Sequence, residues 1–390
     1  MKLNFPKYAK ICQQTIEKAG FEASFVGGCV RDGLLGRACD DIDITTNALP
    51  EDIISLFPHT APTGLKHGTV TVIVDGKHVE VTTYRTEEGY SDCRHPEGVR
   101  FVTDIKEDLS RRDFTINAMA YSDKTGLIDL FGGVSDLESR IIRTVGIPDE
   151  RLGEDALRIL RAYRFASVLG FSLEKNLVRA SERLAHLLKN VSGERILTEL
   201  VKLSSGICVQ AICEFLSVSA LSFCGIGSAL YDISVFEGLN DVKKAEYKFP
   251  LFVSLLCHDS DKIKNILKPD NMTYGRICTL DKMIGEPLPV RKADLKRLLF
   301  AFGEDNIRLY LAFLKLTGEE TVLSLEKMTD EIIENGEPYN IAQLAIDGNT
   351  LKELGFSGTD IGRLLKAATD YVIDQPNLNR KEDLINFLKN

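Results

Sequence analysis

The sequence predicts an α+β N-terminal head, a small mixed β-sheet with helices, followed by all-α domains. Two observations carry this. Up to about residue 145, short β-rich runs alternate with helical spacing, and beyond Pro148 the β-rich runs stop while helical spacing continues to the C-terminus. The chain, at 390 residues, is also longer than one compact core supports, so several domains are expected.

Taken in order, a first helix is predicted over 6–20, opened by Pro6 and closed by Gly20. Residues 21–26 read as a strand entering the turn Gly27-Gly28, and 41–45 alternate as a half-buried strand. LPEDIISLF at 49–57 starts a helix with proline and two acids in its first turn. β-rich runs at 69–74 and 78–83 flank Asp75-Gly76-Lys77, a hairpin signal. The polar segment EEGYSDCRHPEG, 87–98, reads as a mobile loop, followed by a strand at 99–103 and a helix through 114–120. Behind Pro148, helices are predicted at 152–169, 174–188 and 194–203, with linkers at 286–289 and 335–339.

Composition excludes several classes. No apolar run approaches the roughly 18 residues of a membrane span, so no membrane partner is expected. The first twenty residues lack an apolar block with a cleavage site, which predicts a cytoplasmic protein. Nine cysteines, scattered without a CxxC pair, suit reduced thiols rather than zinc. A net charge of −9 argues against a chain coated in nucleic acid but leaves room for a local basic groove.

The stretch SFVGGCVRDGLLGRACDDIDITT, 24–46, carries the chemistry. In a strand, residues two apart face the same way, so Asp41 and Asp43 project together while Ile42 and Ile44 face the core and Asp40 points away. Two carboxylates side by side suit Mg²⁺, which prefers oxygen ligands and keeps positions for phosphate. Such a site activates a hydroxyl and stabilises the leaving oxygens of an in-line phosphoryl displacement. Gly27 and Gly28 after a strand suit an anion-binding nest, and Arg31 is placed to reach phosphate oxygens. Glu80, alternating outward from Val79 and Val81, reads as a third acid.

GGCVRD, then DDIDITT, then RRDFTINA at 111–118, GLIDLFGGVSDL at 126–137 and GEDALRILRAYRFA at 153–166 occur in that order. The ordered set resembles the class II tRNA nucleotidyltransferase and bacterial poly(A) polymerase superfamily, strongly over 20 to about 205 and faintly at 347–366. The resemblance implies a nucleotidyltransferase head at 1–146, a nucleotide-reading neck at 147–206, a body at 207–320 and a tRNA-holding tail at 321–390. It implies Asp41 and Asp43 as catalytic metal ligands. Gly28, Arg31, Arg112, Asp155, Arg158, Arg161 and Arg164 are implied as nucleotide contacts, with Asp113 and Asn117 shaping the floor. The partners implied are tRNA, CTP and ATP, with no DNA; a homodimer is compatible with the reading. The implied activity is template-independent CCA addition to tRNA. A-adding, CC-adding and poly(A)-forming relatives are the nearest alternatives, and a non-catalytic tRNA-binding protein the more distant one. The 87–98 segment favours full CCA addition, and retention of both acids favours catalysis.

Hydrogen-bond chemistry supports the neck. On a helix, Asp155 and Arg158 three apart share a face. An acceptor beside a donor fits the Watson–Crick edges of cytosine and adenine and mismatches uracil and guanine. Rejection on that basis reaches on the order of 10⁴-fold. The alternative is a solvated helix with Glu154 and Arg158 paired at i,i+4. Cys257-His258-Asp259 contains an HD pair, but the six histidines supply no further ligands, so no HD hydrolase is expected. Basic groups at Arg291, Lys292, Lys296 and Arg297, and at Arg363 and Lys366, read equally as RNA-tracking or as solvated faces.

Overall fold

The computed structural model describes residues 2–39, 41–90, 96–206, 208–218, 220–227 and 229–389. The chain divides into two compact units, 1–228 and 229–390. In the first, α1 (Lys7–Lys18), β1 (Ala23–Val26), α2 (Gly28–Leu34), β2 (Asp43–Thr46), α3 (Pro50–Leu56), β3 (Thr60–Gly64), β4 (Thr69–Val74) and β5 (Lys77–Thr83) succeed one another. Then come β6 (Arg85–Tyr90), β7 (Pro96–Phe101), α4 (Ile105–Ser110), β8 (Met119–Ser122), β9 (Gly126–Asp129) and α5 (Gly133–Glu138). A helical layer follows: α6 (Pro148–Glu154), α7 (Leu157–Leu169), α8 (Lys175–Leu184) and α9 (Gly193–Ser204).

The main sheet has seven strands in the order β3-β4-β5-β2-β1-β8-β9. Only β2 and β5 run parallel; the other neighbours are antiparallel. Period-2 alternation sets its faces: Val79 and Val81 are buried while His78 and Glu80 are exposed. Ala9, Cys12 and Ile16 of α1 pack into one core with Phe25, Ile44, Val70 and Val72, and Phe5 stacks on Phe25 with ring centroids 3.8 Å apart. Burial of each Val, Ile or Phe side chain in this set contributes about 1.5–3 kcal/mol. The β4–β5 turn places Asp75 at φ 51° and Gly76 at φ 72°, the two left-handed residues of the tightest hairpin type.

Three expectations are corrected. The segment 87–98 is not an open loop where it is described: β6 and β7 pair antiparallel from Arg85↔Phe101 to Tyr90↔Pro96. Residues 91–95, like Asp40, lie outside the described residues. Backbone pairing needs no apolar face, so a polar strand escapes a pattern built on hydrophobicity. The helix read through 114–120 is a single 3₁₀ turn, Thr115–Asn117, followed by β8. Met119–Ser122 is buried throughout beside β1, and a strand buried on both faces has the same apolar run as a helix. The helix read over 152–169 is broken: α6 ends at Glu154, and Asp155 is extended at φ −141°, ψ 103°.

The second unit is helical, with Tyr247, Phe252, Leu280, Leu309 and Ile332 among its buried apolar residues. Its basic cluster staples helices together. Lys296, 2% exposed, pairs with Glu337 at 2.7 Å, and Lys292 pairs with Glu331 and Glu337. Arg297 reaches Asp370 and Asp374, and Arg291 holds Asp294. His258 packs against the rings of Tyr231 and Phe313. No helix among the described residues is long and apolar enough to cross a membrane.

Candidate active site

Two clefts meet at the carboxylate end of β2. One, of about 520 Å³, is lined by Gly28, Arg31, Asp41, Asp43, Arg112, Arg161 and Arg164, with Asp113, Asn117, Phe165 and Lys202. The other, of about 870 Å³, is lined by Thr63, Thr71, His78 and Glu80. The two share Asp41, Asp43, Arg161 and Lys202.

The site is built from the end of β1. Gly27 turns the chain at φ 74°, a conformation that suits glycine. A Cβ there would come within 3.0 Å of Arg112 Nη1. Its N–H donates to the Met119 carbonyl at 3.2 Å and is therefore not one of the donors of an anion-binding nest. Gly27 instead supplies space for Arg112. Arg31 is buried and fully oriented: Nε and Nη2 donate to the Asp32 carboxylate at 2.9 and 2.8 Å, and Nη1 to Asn117 Oδ1 at 2.8 Å.

Asp41 precedes β2 and Asp43 opens it, with Ile42 and Ile44 buried between and beyond them. Glu80 lies directly across the parallel pair from Asp43. Burial pushes the Asp43 carboxyl up to about 6; Arg112 opposes this, while Glu80 and Asp41 add like charge. The donor set fits a divalent metal ion: hard carboxylate oxygens, one of them destabilised as an anion in a way a cation relieves. Among the described residues no group of three His, Cys, Asp or Glu side chains forms a ligand set, so two carboxylates leave the other positions to water and phosphate oxygens.

Arg112 is held from behind. Asp108, with no exposed surface, accepts from Thr45 Oγ1 on β2 at 3.0 Å, from Arg111 Nε at 3.0 Å and from Arg112 Nη2 at 3.3 Å. Arg112 Nε is buried and has no hydrogen-bond partner among the described residues. Asp113 Oδ2 takes a bidentate grip from Arg161, Nε at 2.9 Å and Nη2 at 2.6 Å, and its Oδ1 accepts from Asn117 Nδ2 at 3.1 Å. Burial alone would raise the Asp113 carboxyl, but Arg161 and Asn117 overcome it and hold it down at about 2. Glu199 of α9, 5% exposed, lies 2.7 Å from Arg164 Nε and 3.6 Å from Arg161 Nη1. The guanidiniums of Arg164, Arg31 and Arg161 lie 3.7, 5.1 and 5.6 Å from the Phe165 ring centre.

Asp155 and Arg158 do not line this cleft. Asp155 pairs with Arg195 at 2.7 Å, and Arg158 donates to Glu154 and to the Arg151 carbonyl. The premise that they share one helix face is therefore corrected, and the Glu154–Arg158 pair weighed against it is present. Arginines at three-residue steps rotate by about 60° per step around a helix. Arg158 and Arg164 consequently face different sides of α7 while Arg161 and Arg164 reach the cleft.

The segment 126–137 supports the site without entering it. Asp129 accepts the N–H groups of Gly133 and Val134, and buried Asp136 accepts Thr115 Oγ1 at 2.7 Å. A Cβ at Gly133 would lie 2.4 Å from the Thr115 carbonyl oxygen. These contacts fix the Thr115–Asn117 turn that carries Asn117. Sequence reasoning missed Asp108, Glu199 and Lys202. Asp108 was findable from its i,i+3 and i,i+4 spacing to Arg111 and Arg112; Glu199 meets Arg161 and Arg164 only through tertiary packing.

Residues 23–143 match the Poly A polymerase head domain, and 170–206 match the "Probable RNA and SrmB- binding site of polymerase A". The head fold, the carboxylate pair and the arginine-lined cleft define a nucleotidyltransferase. The chain is 38% identical over 381 residues to the CCA-adding enzyme of Lactobacillus delbrueckii subsp. bulgaricus, covering 96% of this chain and 95% of that protein. It is 34% identical over 382 residues to the CCA-adding enzyme of Enterococcus faecalis, covering 96% and 93%. The crystal structure of the Bacillus stearothermophilus CCA-adding enzyme in complex with CTP matches with a TM-score of 0.80 at 31% identity, over 98% of this chain and 96% of that one. The chain belongs to the CCA-adding enzyme family.

Proposed function

We propose that this chain builds the CCA 3′ end of tRNA from CTP and ATP without a nucleic-acid template, releasing pyrophosphate at each addition. The observation that carries the reading is the Asp41/Asp43 pair at the boundary of two clefts, one rich in arginine and a larger one whose lining includes Thr63, Thr71 and Glu80. That layout offers a place for a triphosphate on one side of the carboxylates and for an RNA end on the other. The RNA 3′-oxygen bonds to the α-phosphorus, the bond from that phosphorus to the bridging β-oxygen breaks, and the hydroxyl proton is released.

Asp41 and Asp43 would hold the divalent ion, proposed as Mg²⁺. When bound, it supplies a more acidic hydroxyl and charge to balance the leaving pyrophosphate. Gly28, Arg31, Arg112, Arg161 and Arg164 face the nucleotide in this proposal. Asp32 and Asn117 orient Arg31, and Asp113 orients Arg161, so their donors are aimed before substrate arrives. Asp155 and Arg158 remain the base-reading pair on condition that Arg195 and Glu154 release them when nucleotide binds. The division into head (1–146), neck (147–206), body (207–320) and tail (321–390), residence in the cytoplasm and assembly as a homodimer belong to the same proposal.

The test is incubation of purified protein with tRNA lacking one, two or all three terminal nucleotides, each with single nucleoside triphosphates. Completion from CTP and ATP alone is expected. Homopolymeric A tails, or arrest after CC, would move the assignment to another member of the superfamily.

A further inference from the structure

Where two clefts share a wall, the charges on that wall decide what crosses it. The shared wall here carries Asp41, Asp43, Arg161 and Lys202. Resting on the reading above, we propose that Lys202 is a substrate-contacting residue, its ammonium gripping a phosphate where the two clefts join.

The cations of the arginine-rich cleft are largely committed. Arg31 is held by Asp32 and Asn117, Arg161 by Asp113 and Glu199, Arg164 by Glu199, and Arg112 by Asp108. Lys202 is exposed, and among the described residues it has no hydrogen bond or ion pair. To meet a phosphate squarely, Arg161 would have to loosen its pair with the buried Asp113 carboxylate, leaving that charge buried and uncompensated. Lys202 requires no rupture.

Its position follows from α9. Glu199 and Lys202 stand three apart and so on adjoining faces of one helix. The first is buried against the arginines of α7, and the second emerges at the mouth of both clefts. Beside it Asp41, Asp43 and Glu80 gather, with Arg161, Lys77 and His78 also lining that cleft. A polyanion arriving there meets repulsion that a flexible point charge with three donors offsets. The phosphate gripped belongs either to the incoming triphosphate or to the last phosphodiester of the RNA; the chemistry is the same, and kinetics separates the two sources.

The experiment compares wild type with Lys202→Met, which keeps the aliphatic stem, and Lys202→Arg, which keeps the charge. Lys202→Met is expected to lower kcat/KM for C addition about ten- to a hundredfold, the size of one charge-assisted contact, with Lys202→Arg restoring most of it and thermal midpoints unchanged. If the triphosphate is the source, the loss appears with CTP varied at saturating RNA. If the RNA is the source, the loss appears with RNA varied, and the slope of log affinity against log salt falls by about 0.7. Wild-type rates for Lys202→Met in both arms overturn the inference, as does equal failure of Lys202→Met and Lys202→Arg. A wild-type protein that adds no nucleotide to truncated tRNA would instead overturn the functional reading on which this rests.

Discussion

Asp113 is buried and Asp43 half-buried, and their surroundings treat the two carboxylates oppositely. Asp113 is ringed by donors and held ionised, whereas Asp43 is pressed toward the neutral form. A carboxyl whose folded value, about 2, lies below its ordinary value of 3.8 stabilises the fold above the higher figure and loses that contribution as pH falls through the lower one. Asp113→Asn is therefore expected to cost about 2 kcal/mol at neutral pH, with the difference from wild type shrinking between pH 4 and pH 2. Urea titrations of both proteins at a series of pH values check this, and a pH-independent difference contradicts it. Asp43→Asn should behave in the other direction. Removing a charge that burial disfavours leaves the thermal midpoint unchanged or a few degrees higher, while nucleotide incorporation disappears. Calorimetry beside a primer-extension assay separates the two effects.

At the scale of elements, what was legible depended on whether periodicity or tertiary contact set the outcome. α1, β4, β5 and the turn between them follow from spacing and turn chemistry, because apolar alternation and two left-handed residues leave few options. The alternation at 41–45 likewise sets Asp43 apart from its buried neighbours Ile42 and Ile44. β8 was misread because both of its faces are buried, Met119 and Tyr121 in one core and Ala120 in another, which erases the alternation. α7 was read as a helix carrying Arg158, Arg161 and Arg164 all to the nucleotide, and helical rotation divides them between Glu154 on one side and Asp113 with Glu199 on the other. α5 gives the prediction at this scale. Gly133→Ala forces the helix away from the Thr115 carbonyl and the Met119 side chain, and should destabilise the protein by at least about 1–3 kcal/mol. Nucleotide affinity should fall with it because the Asn117 turn shifts; a thermal midpoint within 1 °C of wild type, an approximate margin, would contradict the clash.

Across the whole molecule, a formal charge of −9 coexists with a substrate class that is itself polyanionic. The second unit shows where some of the basic residues go: Lys292, Lys296 and Arg297 are matched to carboxylates across helices. Counting such residues from sequence overstates the charge available to RNA, since pairing is a tertiary fact. Glu337→Ala, which strands the buried Lys296 ammonium, is expected to cost about 3 kcal/mol. Arg297→Ala, whose partners are half exposed, should cost less than about 1 kcal/mol. Both should leave the salt dependence of tRNA binding unchanged, and filter-binding isotherms across a salt series would expose any departure.

One consequence of the Asp129–Gly133–Asp136 arrangement reaches beyond this chain. A segment that lines neither cleft, yet admits not even a methyl group at its centre, is a mechanical fingerprint. Descendants that have lost the ability to transfer nucleotides would retain it for as long as they still needed to fold. Searches anchored on that stretch will gather silent cousins together with working enzymes, and the acids of β2 are the place to tell them apart.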